Sequence, residues 1–271
     1  MPTCGMGGKG SVADETVRAV CGYYLNNRTK DDSMAYLKAV IFGSIGTLTE
    51  TSELQRRAFN LAFRDAGHDW QWDAAAYREM VSGRQAVVGG SDRIAQFAAT
   101  KGITLSADAV SALHNAKSQI FQDIMTREGL PLNRGVAALV ADAKAHAMQT
   151  AFASTTSRAN IDAMFAATRP PIADQFDVIL SGEDVFAIKP AADIYFAALE
   201  RLHVDAGEVV AIEDSAPSMA AALAAGIATF VVPGKIWAGG TFDGASAVLP
   251  DLEGVTVARL GAMLGRETLA V

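Results

Sequence analysis

The stretch Leu37-Lys38-Ala39-Val40-Ile41-Phe42-Gly43-Ser44-Ile45-Gly46-Thr47-Leu48 constrains the fold more than any other. A short apolar run that enters a glycine turn reads as a strand buried on both faces. Such a strand belongs to a parallel sheet with helices above and below it. Ligands of open α/β sheets bind beyond the carboxyl ends of the strands, so the turn from Gly43 to Thr47 marks the expected site.

The chain from Gly135 onward alternates as that sheet requires. The pattern predicts helix over Val136–Ala145, strand over Gln149–Ser154, helix over Arg158–Ala167 and strand over Phe176–Leu180. Helix Ala191–Leu202, strand Glu208–Ile212, helix Pro217–Ala225, strand Ala228–Val232 and a last helix Val255–Leu264 follow. Short connections between alternating strands and helices give a doubly wound parallel sheet. Residues 50–132 break the alternation. Helical periodicity runs over Glu53–Ala66, Asp73–Val81, Asp92–Ala99 and Ala107–Arg127 with no strand pattern between. The predicted organisation is therefore an α/β core of residues 36–49 and 133–271 carrying an all-helical insert, with hinges at Thr49–Ser52 and Leu130–Arg134.

Residues 1–35 read as an N-terminal extension. Met1 to Gly10 holds four glycines, Val12–Leu25 fits one short amphipathic helix, and Asn26–Ser33 is a polar linker. The extension is either a docking arm for a protein partner or a tail ahead of an ordinary start at Met34. The net charge of −7 argues against a nucleic-acid partner. No apolar run is long enough for a membrane span, and the first residues lack the order of a secretory signal. Cys4 and Cys21 match no metal-ligand spacing. Reduced thiols and a cytoplasmic location are the expectation.

Three further motifs follow, two of them at the ends of predicted strands. Ser154-Thr155-Thr156-Ser157 offers hydroxyls and helix-start N–H groups, suited to an anion and equally to a plain helix cap. Lys189-Pro190 precedes a helix, with Pro190 placed for its first turn. Val209-Val210-Ala211-Ile212 leads into Glu213-Asp214-Ser215. Taken together, these motifs resemble the haloacid dehalogenase superfamily. Glu50-Thr51-x-Glu53-Leu54-x-Arg56-Arg57-Ala58-Phe59 and Lys189-Pro190-Ala191-x-Asp193-Ile194-Tyr195 are similar to its sugar-phosphate phosphatase branch, which holds β-phosphoglucomutase and xylulose-1,5-bisphosphate phosphatase. The resemblance covers about residues 36 to 265.

The resemblance implies a Rossmann-like core with a helical cap, and it assigns roles. The first motif of the family is Phe-Asp-x-Asp-Gly-Thr-Leu, whose aspartates are nucleophile and general acid/base; Gly43 and Ile45 stand there in this chain. Ser154, Thr155, Lys189, Gly46 and Thr47 fall on phosphate-binding positions, and Asp214 and Glu213 on the Mg²⁺ site. The substrate loop of the cap maps to Gly89, Gly90, Ser91 and Arg93, with Gln55 facing it. Ser91 replaces a lysine, Gln55 a histidine and Ser52 an acid.

These departures limit the chemistry. Gly43 has nothing to attack with and Ile45 cannot move a proton. Ser44, on the alternate face of an extended segment, is expected to point away from the site. The family's Mg²⁺ would keep Asp214 and the backbone carbonyl at position 45 but lose the nucleophile's carboxylate, so weak binding is expected. Anion binding by the glycine turn, Ser154 and Lys189 is expected to survive. Three readings stay open: a phosphatase-like protein with lost or strongly reduced activity that binds a phosphorylated metabolite, a hydrolase using an acid from elsewhere such as Glu50 or Glu213, and a regulatory or structural subunit docking through its N-terminal arm.

Overall fold

A computed structural model of the chain describes residues 36–83 and 89–266. The extension, with Cys4, Cys21 and the helix expected over Val12–Leu25, lies outside the described residues. Six parallel strands form the main sheet in the order β5-β3-β1-β6-β7-β8. These are β1 (Ala39–Phe42), β3 (Gln149–Ala153), β5 (Val178–Leu180), β6 (Val209–Glu213), β7 (Ala228–Val231) and β8 (Ala247–Val248). β1 lies in the middle, with Phe42 opposite Phe152 of β3 on one side and Ile212 of β6 on the other. The chain winds outward from β1 first one way and then the other, so the crevice at the switch point opens above Gly43, Ser154 and Glu213.

Alternation along the strands divides the core into two layers. Val40, Phe42, Phe152, Val210, Ile212 and Phe230 face one way. Helices α6 (Val136–Ala145), α7 (Arg158–Ala167) and α10 (Val257–Met263) cover them. Ala39, Ile41, Ala151, Ala153, Val209 and Ala211 face the other way, under α8 (Asp193–Leu202) and α9 (Ala216–Ala224). The second layer is built from small strand residues, which lets α8 bring Tyr195 close to the sheet.

The helical insert consists of α2 (Ser52–Asp65), α3 (Ala74–Ser82), α4 (Gly90–Thr100) and α5 (Ala107–Glu128). It has its own aromatic cluster, with Phe59, Phe63, Trp70, Trp72 and Tyr77 all buried. Trp72 is anchored through its backbone: its N–H donates to Asn60 Oδ1 at 2.8 Å and its carbonyl accepts from Arg56 and Asn60. α5 packs on α2 and also on α7, joining the insert to the core. The two connections are laced together where they leave the core. Thr49 Oγ1 donates to the Pro131 carbonyl at 2.9 Å, and the Asn133 N–H donates to the Leu48 carbonyl at 2.8 Å.

Several expectations need correction. Gly43 to Thr47 is not a simple turn, because α1 (Ile45–Leu48) forms one helical turn with Ser44 as its N-cap. α8 starts at Asp193 rather than Ala191, so Pro190 precedes the helix instead of opening it. Gly89 has a φ of 105° and caps α4, which places Ser91 and Arg93 in the first turn of a helix rather than in a loop. A second small sheet pairs β2 (Leu130–Pro131) with β4 (Thr168–Arg169), two pieces too short to carry any alternation. β8, also two residues long, was invisible for the same reason.

Candidate functional site

The site is assembled from the carboxyl ends of β1, β3 and β6 and the turn before α8. Lys189 is almost fully buried, and its Nζ donates to Tyr195 Oη at 2.9 Å and to Glu213 Oε1 at 3.1 Å. It also donates to the Gly43 carbonyl oxygen. Its ammonium lies 4.7 Å from the centre of the Tyr195 ring. Glu213 is wholly buried, and burial pushes its carboxyl up to about 7 despite the neighbouring Lys189, with Asp214 adding repulsion. Its second oxygen, Oε2, is buried with no hydrogen-bond partner.

The position of that carboxylate explains why residue 43 matters. A Cβ on Gly43 would stand 1.7 Å from Glu213 Oε1 and 2.3 Å from Tyr195 Oη. The volume in which any side chain at position 43 would begin is therefore held by the Glu213 carboxylate, which serves as the counterion of Lys189. Position 45 is closed in a different way. Ile45 is buried in the large apolar cluster with Phe42 and Leu48.

Ser44 does not point away, as strand alternation predicted. Because the chain turns into α1 at this residue, its hydroxyl swings inward and donates to Asp214 Oδ1 at 2.8 Å. Ser44 Oγ also accepts the Thr47 N–H and lies 2.9 Å from Thr47 Oγ1. Burial raises Asp214 above the ordinary carboxylate range, with Ser44 and Lys189 opposing. Gly46 is needed beside it, since a Cβ there would fall 1.8 Å from Asp214 Oδ2.

Ser154 follows β3 directly and is buried, with its Oγ accepting from the Thr156 N–H at 3.4 Å. It does not cap the following helix; Ser157 does, accepting from the Asn160 N–H. Thr155 is partly exposed beside it. A cleft of about 130 Å³ opens between the insert and the core. Gly46, Asp214, Gln55, Tyr77 and Trp237 contribute to its wall. Glu50 also borders it, but both its oxygens are occupied, accepting the N–H groups of Ser52 and Lys235 at 2.8 and 2.9 Å.

Comparison with known proteins places the chain. Residues 37–226 match the model of the haloacid dehalogenase-like hydrolases. The chain belongs to this family. Protein CbbY of Rhodobacter capsulatus is 39% identical over 217 residues, a match covering 80% of this chain and 94% of that protein. The crystal structure of CbbY from Rhodobacter sphaeroides in complex with phosphate aligns with a TM-score of 0.75 at 37% identity, covering 83% of this chain and 99% of that one. A mutant of the same CbbY in complex with xylulose-(1,5)bisphosphate aligns equally well.

The metal implied by the family resemblance is Mg²⁺, which asks for six oxygens in near-octahedral order. Among the described residues no three His, Cys, Asp or Glu side chains gather as a metal site. Glu213 is committed to Lys189, one Asp214 oxygen to Ser44, and position 43 supplies no carboxylate. These donors do not fit a tight Mg²⁺ site.

Two features of this region escaped the sequence. The Tyr195 hydroxyl as partner of Lys189 was within reach, since the two lie six residues apart across the turn before α8. The placement of the Glu213 carboxylate beside Gly43 carried no signal, because it depends on a side-chain rotamer.

Proposed function

We propose that this chain is a haloacid dehalogenase-like protein of the sugar-phosphatase branch whose hydrolase activity is lost or strongly reduced, and that its cleft binds a phosphorylated small molecule. One observation carries the reading: Glu213 fills the space beside Gly43 and neutralises Lys189. Aspartyl phosphoryl transfer requires a carboxylate aimed at phosphorus and a group that protonates the leaving oxygen. Gly43 and Ile45 supply neither. The acids nearby do not take over, because Glu50 is held by two backbone N–H groups and Glu213 is fully buried.

The binding half of the proposal rests on Gly46 at the cleft wall, on Ser154, Thr155, Thr47 and Lys189 at the adjoining strand ends, and on the phosphate and xylulose-(1,5)bisphosphate complexes of CbbY. For an anion to meet Lys189, Glu213 has to yield its place, and protonation of that carboxyl provides the route. Mg²⁺ is held weakly at best through Asp214 and the Ile45 carbonyl. The test is phosphate release from a panel of sugar phosphates, xylulose-1,5-bisphosphate included, with and without Mg²⁺. Turnover at background, together with calorimetric binding of inorganic phosphate that Lys189→Ala abolishes, is the expected result. Robust Mg²⁺-dependent release by the pure protein would overturn the loss of activity, and absence of any anion binding would overturn the rest.

A further inference from the structure

The helical insert buries a lysine that the site described above does not use. α5 turns Leu113, Lys117, Phe121, Ile124 and Met125 inward. Lys117 thus occupies an apolar position of the helix, one turn after Leu113 and one before Phe121. Only 5% of it is exposed. Its Nζ lies 4.7 Å from the centre of the Phe59 ring and 5.0 Å from that of Phe121. Its hydrogen bond goes to Gln55 Oε1, a neutral acceptor. No carboxylate pairs with it among the described residues. The ionisable groups facing it are Arg93 from α4 and His114 from α5 itself, neither of them acidic.

Burial and the Arg93 guanidinium favour the free base of this amine, whereas the Phe59 and Phe121 ring faces and the Gln55 oxygen favour the ammonium, and burial is the larger effect. Burial, reinforced by Arg93, pushes Lys117 down to about 7. An ordinary lysine is free base at neutral pH in roughly one molecule per few thousand, whereas Lys117 is so in about half. Gln55, which covers the amine, borders the cleft that Asp214 and Gly46 also line. The amine therefore stands one side chain behind the cleft wall. Desolvation of a lysine in a hydrophobic setting is a general way of making it a nucleophile toward carbonyl carbon.

We propose that Lys117 is a carbonyl-condensing amine that takes an aldehyde or open-chain sugar seated in the cleft. With Gln55 turned aside, Nζ bonds to the carbonyl carbon. The carbonyl oxygen leaves as water with the two amine protons, and an imine remains. The step needs no metal, oxidant or phosphate, and so stands apart from the anion binding proposed above.

The test uses the full chain and two aldehydes, pyridoxal 5′-phosphate and butanal, each trapped at neutral pH with borohydride and mapped by mass spectrometry. Lys117 is expected to be labelled by both, at least about tenfold faster than the exposed Lys101. Its labelling rate should rise with pH and level off above about 7. Lys117→Met should lose this label while Lys101 labels as before. Because the wild-type map itself locates the adduct, the outcome does not depend on the variant folding. Labelling confined to Lys101 and other surface lysines, or directed at Lys189 instead, would overturn the proposal.

Discussion

Replacing Lys189 with methionine tests the buried pair by its pH dependence. In the wild type the Glu213 carboxyl titrates near 7 against an ordinary value of 4.5. Between these values the folded state holds a proton that the unfolded state has released, so this group's contribution to stability falls as pH rises from about 4.5 to about 7 and is flat above. Lys189 favours the charged carboxylate, so Lys189→Met moves the Glu213 value higher and extends the falling window. Each pH unit of that extension costs about 1.4 kcal/mol. Between pH 7 and pH 8 the variant should therefore lose about 1.4 kcal/mol that the wild type does not, while at pH 5, with the carboxyl protonated in both folded proteins, the titration adds nothing. Asp214 feels the same cation and shifts in the same sense. Urea denaturation of both proteins at pH 5 and pH 8 measures the increment. A stability difference that is equal at the two pH values, or larger at pH 5, would refute the charge pairing of Lys189 with Glu213. Adding Glu213→Gln to Lys189→Met should remove the Glu213 share of the increment and leave only that of Asp214.

Gly43→Ala should destabilise by about 1–3 kcal/mol, as overpacking does in a filled core, because its methyl must displace Glu213; thermal unfolding will read it. Gly43→Asp should give no phosphate release above background in a malachite-green assay, since Ile45 still offers no proton donor. Ser44→Ala removes the cap of α1 and a hydrogen bond to half-buried Asp214, and should cost about 1–2 kcal/mol by denaturant titration. Lys117→Met should be more stable than the wild type at pH 7, by about 1–4 kcal/mol, as replacement of a buried ionisable group by an apolar one allows. The gain should shrink toward pH 10, because the depressed lysine makes wild-type stability rise with pH across that interval.

The layers of the core were legible because each rests on a period. Val136–Ala145 and Arg158–Ala167 have the predicted bounds. The β1–β3–β6 arrangement was expected from the family resemblance of the motifs that end three apolar runs. What stayed hidden lies below the resolution of a pattern. Ser44 faces Asp214 because one helical turn begins where strand alternation had been extrapolated. Lys117 was readable in principle as a charged residue in an apolar stripe, but its neighbours Gln55 and Phe59 come from another helix. Gly43 and Ile45 were read as missing carboxylates through the family resemblance; that Glu213 occupies the space beside Gly43 required side-chain positions.

The Glu213 carboxylate beside Gly43 also bears on how reversible this sequence is. In a chain with an aspartate at position 43, loss of that side chain empties a space next to a buried cation, and a neighbouring acid can swing in to fill it. The return journey is different. A lone change back to aspartate must place two carboxylates in a volume that holds one, so the first mutational step meets a steric and electrostatic barrier. The path opens only when Glu213 turns out of that space, which protonation of its carboxyl eases. One rotamer thus makes the two directions unequal: the forward step vacates a space, and the reverse step has to displace a buried acid from it.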